Sequence, residues 1–145
     1  IGGLWDVGMS LNFLDEVVLP EVTRPHGAHL VMIGDCPLMS RHGSVCQASP
    51  FACRIMSESR DFNPLQAADV ETALTQFERR HAAQGDVHFF SQRRLWAEGP
   101  PGEHLWGNVP GTTTRGYYDT NHLMVSVAAK YLGPYMCSAF SSWGL

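Results

Sequence analysis

Tyr117-Tyr118-Asp119-Thr120-Asn121-His122-Leu123 sets a carboxylate and an imidazole three residues apart, just ahead of an apolar stretch that reads as a helix. In a turn, Asp-x-x-His spacing can bring the acid to one ring nitrogen, which selects the tautomer and leaves the other nitrogen free to accept a proton. Asp119 and His122 are therefore a candidate acid-base pair. Asp119, Thr120 and Asn121 are equally good helix N-caps, which would reduce His122 to a first-turn packing residue, and spacing alone favours that plainer reading. No convincing nucleophile stands upstream. Cys36, directly after an apolar run in Ile33-Gly34-Asp35-Cys36, is a minority candidate as a thiolate, with Pro37 following where an oxyanion hole would want a helix to start.

The elements that must position such a pair are legible in outline. Leu11, Leu14, Val17 and Val18 recur at helical spacing, with Ser10 as candidate cap, a bend or end at Pro20, and Pro25 beyond. His29-Leu30-Val31-Met32-Ile33 lies between Gly27 and Gly34 and suits a strand buried on both faces of a parallel sheet. From Asp35 to Phe62 there is no sustained period, so a long loop is expected. Asn63 and Pro64 then open a helix whose face carries Val70, Ala73, Leu74, Phe77 and His81, ending by Gly85. Val87-His88-Phe89-Phe90 reads as a second strand, and Ser91 to Gly116 as an irregular crossing loop. A last helix is expected from about His122 to Phe140, bent at Gly133-Pro134. Helix, strand, helix, strand, helix implies an α/β domain of βαβ units, with helices on both sheet faces and ligands outside the carboxyl ends of the strands.

Composition narrows the functional classes. The 145 residues, 44% apolar and 17% charged, suffice for one core and one domain. Ten basic against fourteen acidic residues, with no cluster larger than Arg79-Arg80 or Arg93-Arg94, argue against nucleic-acid binding. The apolar runs fall short of the roughly 18 residues of a membrane span, and no signal peptide opens the chain. Cys36, Cys46, Cys53 and Cys137 fit no paired zinc spacing; Cys46 and Cys53 flank a short loop that a local disulfide could close, and four free thiols is an equal reading. His26, His29, His42, His88 and His104 show no helical i, i+4 pairing and no acidic cluster, so they are expected as strand and loop residues, with no metal or cofactor. His81 is expected as a core or boundary histidine. Trp96, Trp106, Tyr117 and Tyr118 could stack on a sugar ring, but more often such residues anchor a loop.

Element order and motif together resemble the SGNH (GDSL-like) esterase and acyltransferase superfamily, above all the extracytoplasmic SGNH domain fused to membrane O-acyltransferases that modify bacterial surface sugars. Tyr117, Asp119, His122 and Leu123 match the final Tyr-x-Asp-x-x-His-Leu segment of that branch, with Tyr131-Leu132 further along. Val31 to Pro37, the Cys46 to Cys53 loop and Gly3-Leu4-Trp5-Asp6 resemble upstream blocks, and Trp5 stands where the family has its oxyanion-hole Asn. Met124 and Val127 replace small residues that often follow the family's His-Leu. The resemblance implies a three-layer α/β/α, flavodoxin-like fold with a parallel sheet, here lacking its first strand, so that residues 1–145 form a single domain read as the C-terminal portion of a larger one. It implies an O-acyl esterase or O-acyltransferase of the Ser-His-Asp type, with Asp119 and His122 catalytic, Trp5, Tyr117 and Tyr118 at the substrate, and an acyl ester or sugar bound. The nucleophilic Gly-Asp-Ser block would lie before Ile1. A catalytically inactive SGNH-like structural subunit, whose open sheet edge is completed by another protein chain, is the competing expectation.

Overall fold

A computed structural model describes residues 7–34, 64–92, 95, 109, 114, 116–118 and 122–145. The chain forms two compact units, one comprising Ile1–Ile33 and Ala68–Phe90, the other Gly34–Ala67 and Ser91–Leu145. Among the described residues the elements are helices and one small parallel sheet, an α/β arrangement.

The first unit is built around the sheet. Strands β1 (Leu30–Ile33) and β2 (Val87–Phe90) pair in parallel, with Leu30 opposite Val87 and Ile33 opposite Phe90. A parallel pair cannot be joined by a tight turn, and the connecting chain carries a long helix, α2 (Pro64–Arg80). All four residues of β2 are buried, whereas β1, the strand expected to be buried on both faces, buries only Met32, leaves Leu30 and Val31 half-buried and leaves Ile33 51% exposed. Helix α2 follows the expected pattern: Val70, Ala73 and Leu74 are half-buried, Phe77 is fully buried, and the chain turns at Gly85, whose φ of 66° is the left-handed region glycine tolerates best. Phe77 packs with Leu11, Leu19, Met32, Val87 and Phe89 in one core cluster.

The first helix begins earlier than its periodicity suggests. Helix α1 covers Val7–Phe13, so Ser10 is an exposed interior residue rather than a cap. It runs directly into a π-helical stretch, Leu14–Thr23, with Pro20 inside. Proline has no N–H for the ordinary i to i−4 bond, and a wider turn accommodates that loss without ending the helix. Gly27, at φ 60°, closes the following 3₁₀ turn.

The second unit ends in a helical run of α3 (Val125–Val127), a π-helical stretch (Ala128–Leu132) and α4 (Gly133–Ser142). Pro134 lies inside this continuous helical run, as Pro20 does in the first, and the π-helical turns before it accommodate the loss of its N–H without ending the helix. Val109, Tyr117 and Val127 form the core here, flanked by Leu95, Leu123, Met124 and Tyr131. Among the described residues no helix is long and apolar enough to cross a membrane.

Candidate functional site

The segment around His122 is a narrow antiparallel turn. Tyr117 and Leu123 form an isolated bridge, the Tyr118 N–H donates to the His122 carbonyl at 2.7 Å, and the Met124 N–H donates to the Gly116 carbonyl at 2.8 Å. Side chains alternate across extended chain. Tyr117 accordingly points into the core and is 1% exposed, with Leu123 half-buried beside it, while Tyr118 and His122, opposite each other on the other face, are both exposed. Tyr118 is 61% exposed, a large aromatic surface left to solvent next to an imidazole.

This geometry bears on the plainer reading, in which His122 packs in the first turn of a helix. The chain stays extended through Met124, which at ψ 134° is the N-cap of α3, and no side chain caps that helix. His122 is thus not in its first turn, and Thr120 and Asn121 lie outside the described residues. The bridge wins because burying the Tyr117 ring requires the strand-like pairing that delays the helix. Asp119 lies outside the described residues, as do Trp5, Cys36, Cys46, Cys53, Trp96 and Trp106. Tyr117 and Tyr118, taken together as substrate contacts from the sequence, part ways: one ring fills the core, the other faces water.

Two histidine arrangements in the first unit escape any sequence motif. His81, at the end of α2, packs its ring against Phe77 with centroids 4.8 Å apart. Its Nδ1 lies 3.2 Å from Arg24 Nη2, and since a guanidinium only donates, Nδ1 is the acceptor and Nε2 carries the proton. Nε2 in turn sits 3.3 Å from Asp15 Oδ1, at ion-pair distance though without hydrogen-bond geometry. Asp15 and His81 are thus an acid-imidazole couple whose second nitrogen is already engaged by Arg24, which disqualifies it as a general base. Arg24 also donates through Nε to Asp86 Oδ2 at 2.7 Å. That hydrogen bond, reinforced by the Arg24 charge and opposed by burial, holds the Asp86 carboxyl below its ordinary value.

His29 and His88 meet directly, His29 Nδ1 lying 2.8 Å from His88 Nε2. Val31 is the register partner of His88, so His29, two residues earlier, shares its face of the sheet. The ring planes differ by 11° and the centroids are 5.1 Å apart. The centroid separation exceeds the nitrogen separation by about two ring radii, so the rings lie nearly coplanar and end to end, joined by an in-line N–H···N bond rather than face to face. Lone pairs aimed head-on do not converge on a tetrahedral cation, and among the described residues no group of three or more His, Cys, Asp or Glu gathers for a metal. Burial lowers the His88 pKa, the His29 charge lowers it further, and the Glu78 and Asp86 carboxylates pull the other way.

The carboxyl ends of β1 and β2 are tied together by Gln92, whose Nε2 donates to the Gly34 carbonyl at 2.7 Å. The chain matches no family model, no curated protein and no solved structure.

Proposed function

We propose that the chain is part of an SGNH-like O-acyl esterase or O-acyltransferase module, of three-layer α/β/α architecture, acting on carbohydrate-type acyl esters outside the cytoplasm. The observation that supports it most is the exposed pairing of Tyr118 and His122 on a turn whose opposite face is anchored in the core by Tyr117. A general base must be held in place and still reach its substrate, and the buried Tyr117 beside the exposed His122 supports that role.

In the proposed reaction, His122 takes the proton of a nucleophile as its oxygen or sulfur bonds to the acyl carbon, and returns that proton to the departing alkoxide. Asp119 orients the imidazole and stabilises its charged form. Tyr118 offers its ring face to the sugar. A serine from outside these 145 residues supplies the nucleophile, with the Cys36 thiolate as the alternative within them.

The test applies a fluorophosphonate serine probe and an iodoacetamide thiol probe to this chain and to the longest natural product that contains it, each beside its His122→Ala variant. Histidine-dependent labelling of a serine in the longer product supports the esterase reading, and histidine-dependent labelling of Cys36 supports the thiol form. No histidine-dependent labelling in either chain refutes both, and leaves an inactive SGNH-like structural subunit that binds another protein chain.

A further inference from the structure

The His29–His88 contact lies in the first unit, has no part in the proposed acyl chemistry, and imposes a strict proton count. An in-line N···N contact of 2.8 Å needs one proton between the two nitrogens. With none there, two lone pairs face each other; with two, two N–H groups do. The contact therefore holds only while the facing nitrogens share a single proton, a condition met by the neutral pair and by the singly charged pair, and violated when both rings are imidazolium.

We propose that His29 and His88 form a proton-sharing clasp between the residue that enters β1 and the middle of β2, which the first added proton tightens and the second opens. His29 is exposed and His88 buried, so the first proton from solvent resides on His29. His29 Nδ1–H then donates to His88 Nε2 as a charge-assisted bond, stronger than its neutral counterpart. The second proton must go to His88 Nε2, where it meets the His29 Nδ1–H, and the rings separate.

The groups around the pair bear on when this happens. Glu78, from α2, and Asp86, just before β2, both favour charge on His88. Neither carboxylate is uncommitted: Glu78 Oε1 accepts the Phe89 N–H at 2.8 Å, and Asp86 Oδ2 accepts from Arg24, whose positive charge offsets its own. The second protonation consequently falls on the acid side of the ordinary histidine value of 6.5.

Nuclear magnetic resonance of the chain labelled with ¹⁵N in its histidine rings reads the clasp directly. The expected result is a scalar coupling between His29 Nδ1 and His88 Nε2 at neutral pH, and two titration steps more than about one pH unit apart, as strongly interacting sites require. The coupling should persist through the first step and vanish at the second. In His29→Gln, His88 should titrate in one step at a higher pH than its wild-type step. Independent titration of the two rings without coupling would overturn the proposal, as would an unaltered His88 step in His29→Gln. The wild-type spectra alone decide the matter if that variant fails to fold.

Discussion

Arg24 serves two partners from one guanidinium, donating Nε–H to Asp86 and facing His81 with Nη2. Its side chain is 37% exposed, so solvent screens the ion pair, and Arg24→Gln should cost only about 0.5–1 kcal/mol of unfolding free energy at neutral pH. The sign of its pH dependence follows from Asp86. Because the folded-state pKa is lowered from 3.8, the contribution is complete above that value and is lost as pH falls through the lowered one. Urea unfolding of wild type and Arg24→Gln should therefore differ at neutral pH and converge in strong acid. His88 obeys the same rule in a higher window: its folded-state pKa is lowered from 6.5, so stability is full above 6.5 and declines as pH drops below it. A stability curve flat from neutral pH down to the carboxylate range would contradict this. Tyr117, 1% exposed, is the side chain that seats the His122 turn. Tyr117→Ala should destabilise the protein by about 3–5 kcal/mol, measurable as a fall in the denaturation midpoint.

Element by element, agreement between sequence and structure tracks how local the deciding force is. β2 was legible because four consecutive buried residues need no partner to be recognised as strand-like, and α2 because Pro64, the Phe77 face and Gly85 mark its start, its buried side and its end. Gly85 also gives a direct test: nothing lies within 4 Å of a Cβ built there, so Gly85→Ala meets only left-handed backbone strain. It should lower stability by about 1–2 kcal/mol, and Gly85→Asn by less, in thermal unfolding of the two variants. The start of the last helix was misread because three capping residues in a row outweigh, on paper, a single cross-turn bridge between Tyr117 and Leu123. Glu78 illustrates a force invisible to patterning. Leu30 N–H donates to the Asp86 carbonyl, which in a parallel ladder turns the Phe89 N–H away from β1, and the Glu78 carboxylate takes it. One donor on the outer edge of β2 is thus already satisfied, which removes it from strand addition by another chain.

At the scale of the whole chain, the core clusters around Phe77 and around Tyr117 have no residue in common, each belonging to its own unit. Phe77→Ala should itself cost about 3–5 kcal/mol. Its effect should add to that of Tyr117→Ala within about 0.5 kcal/mol in a double-mutant cycle, and a larger coupling would show that the two clusters act as one. What the sequence by itself determined was the helix-strand-helix-strand-helix order and the apolar face of α2, because these arise from periodicity and from Pro and Gly, which act over a few residues, whereas the depth of burial of β1 was not among them. What only the tertiary structure decided was which polar groups meet. His29 and His88 are 59 positions apart, and Arg24 and Asp86 are 62, so nothing but the parallel register of β1 and β2, and the helices folded against them, could bring those protons and charges within hydrogen-bond reach.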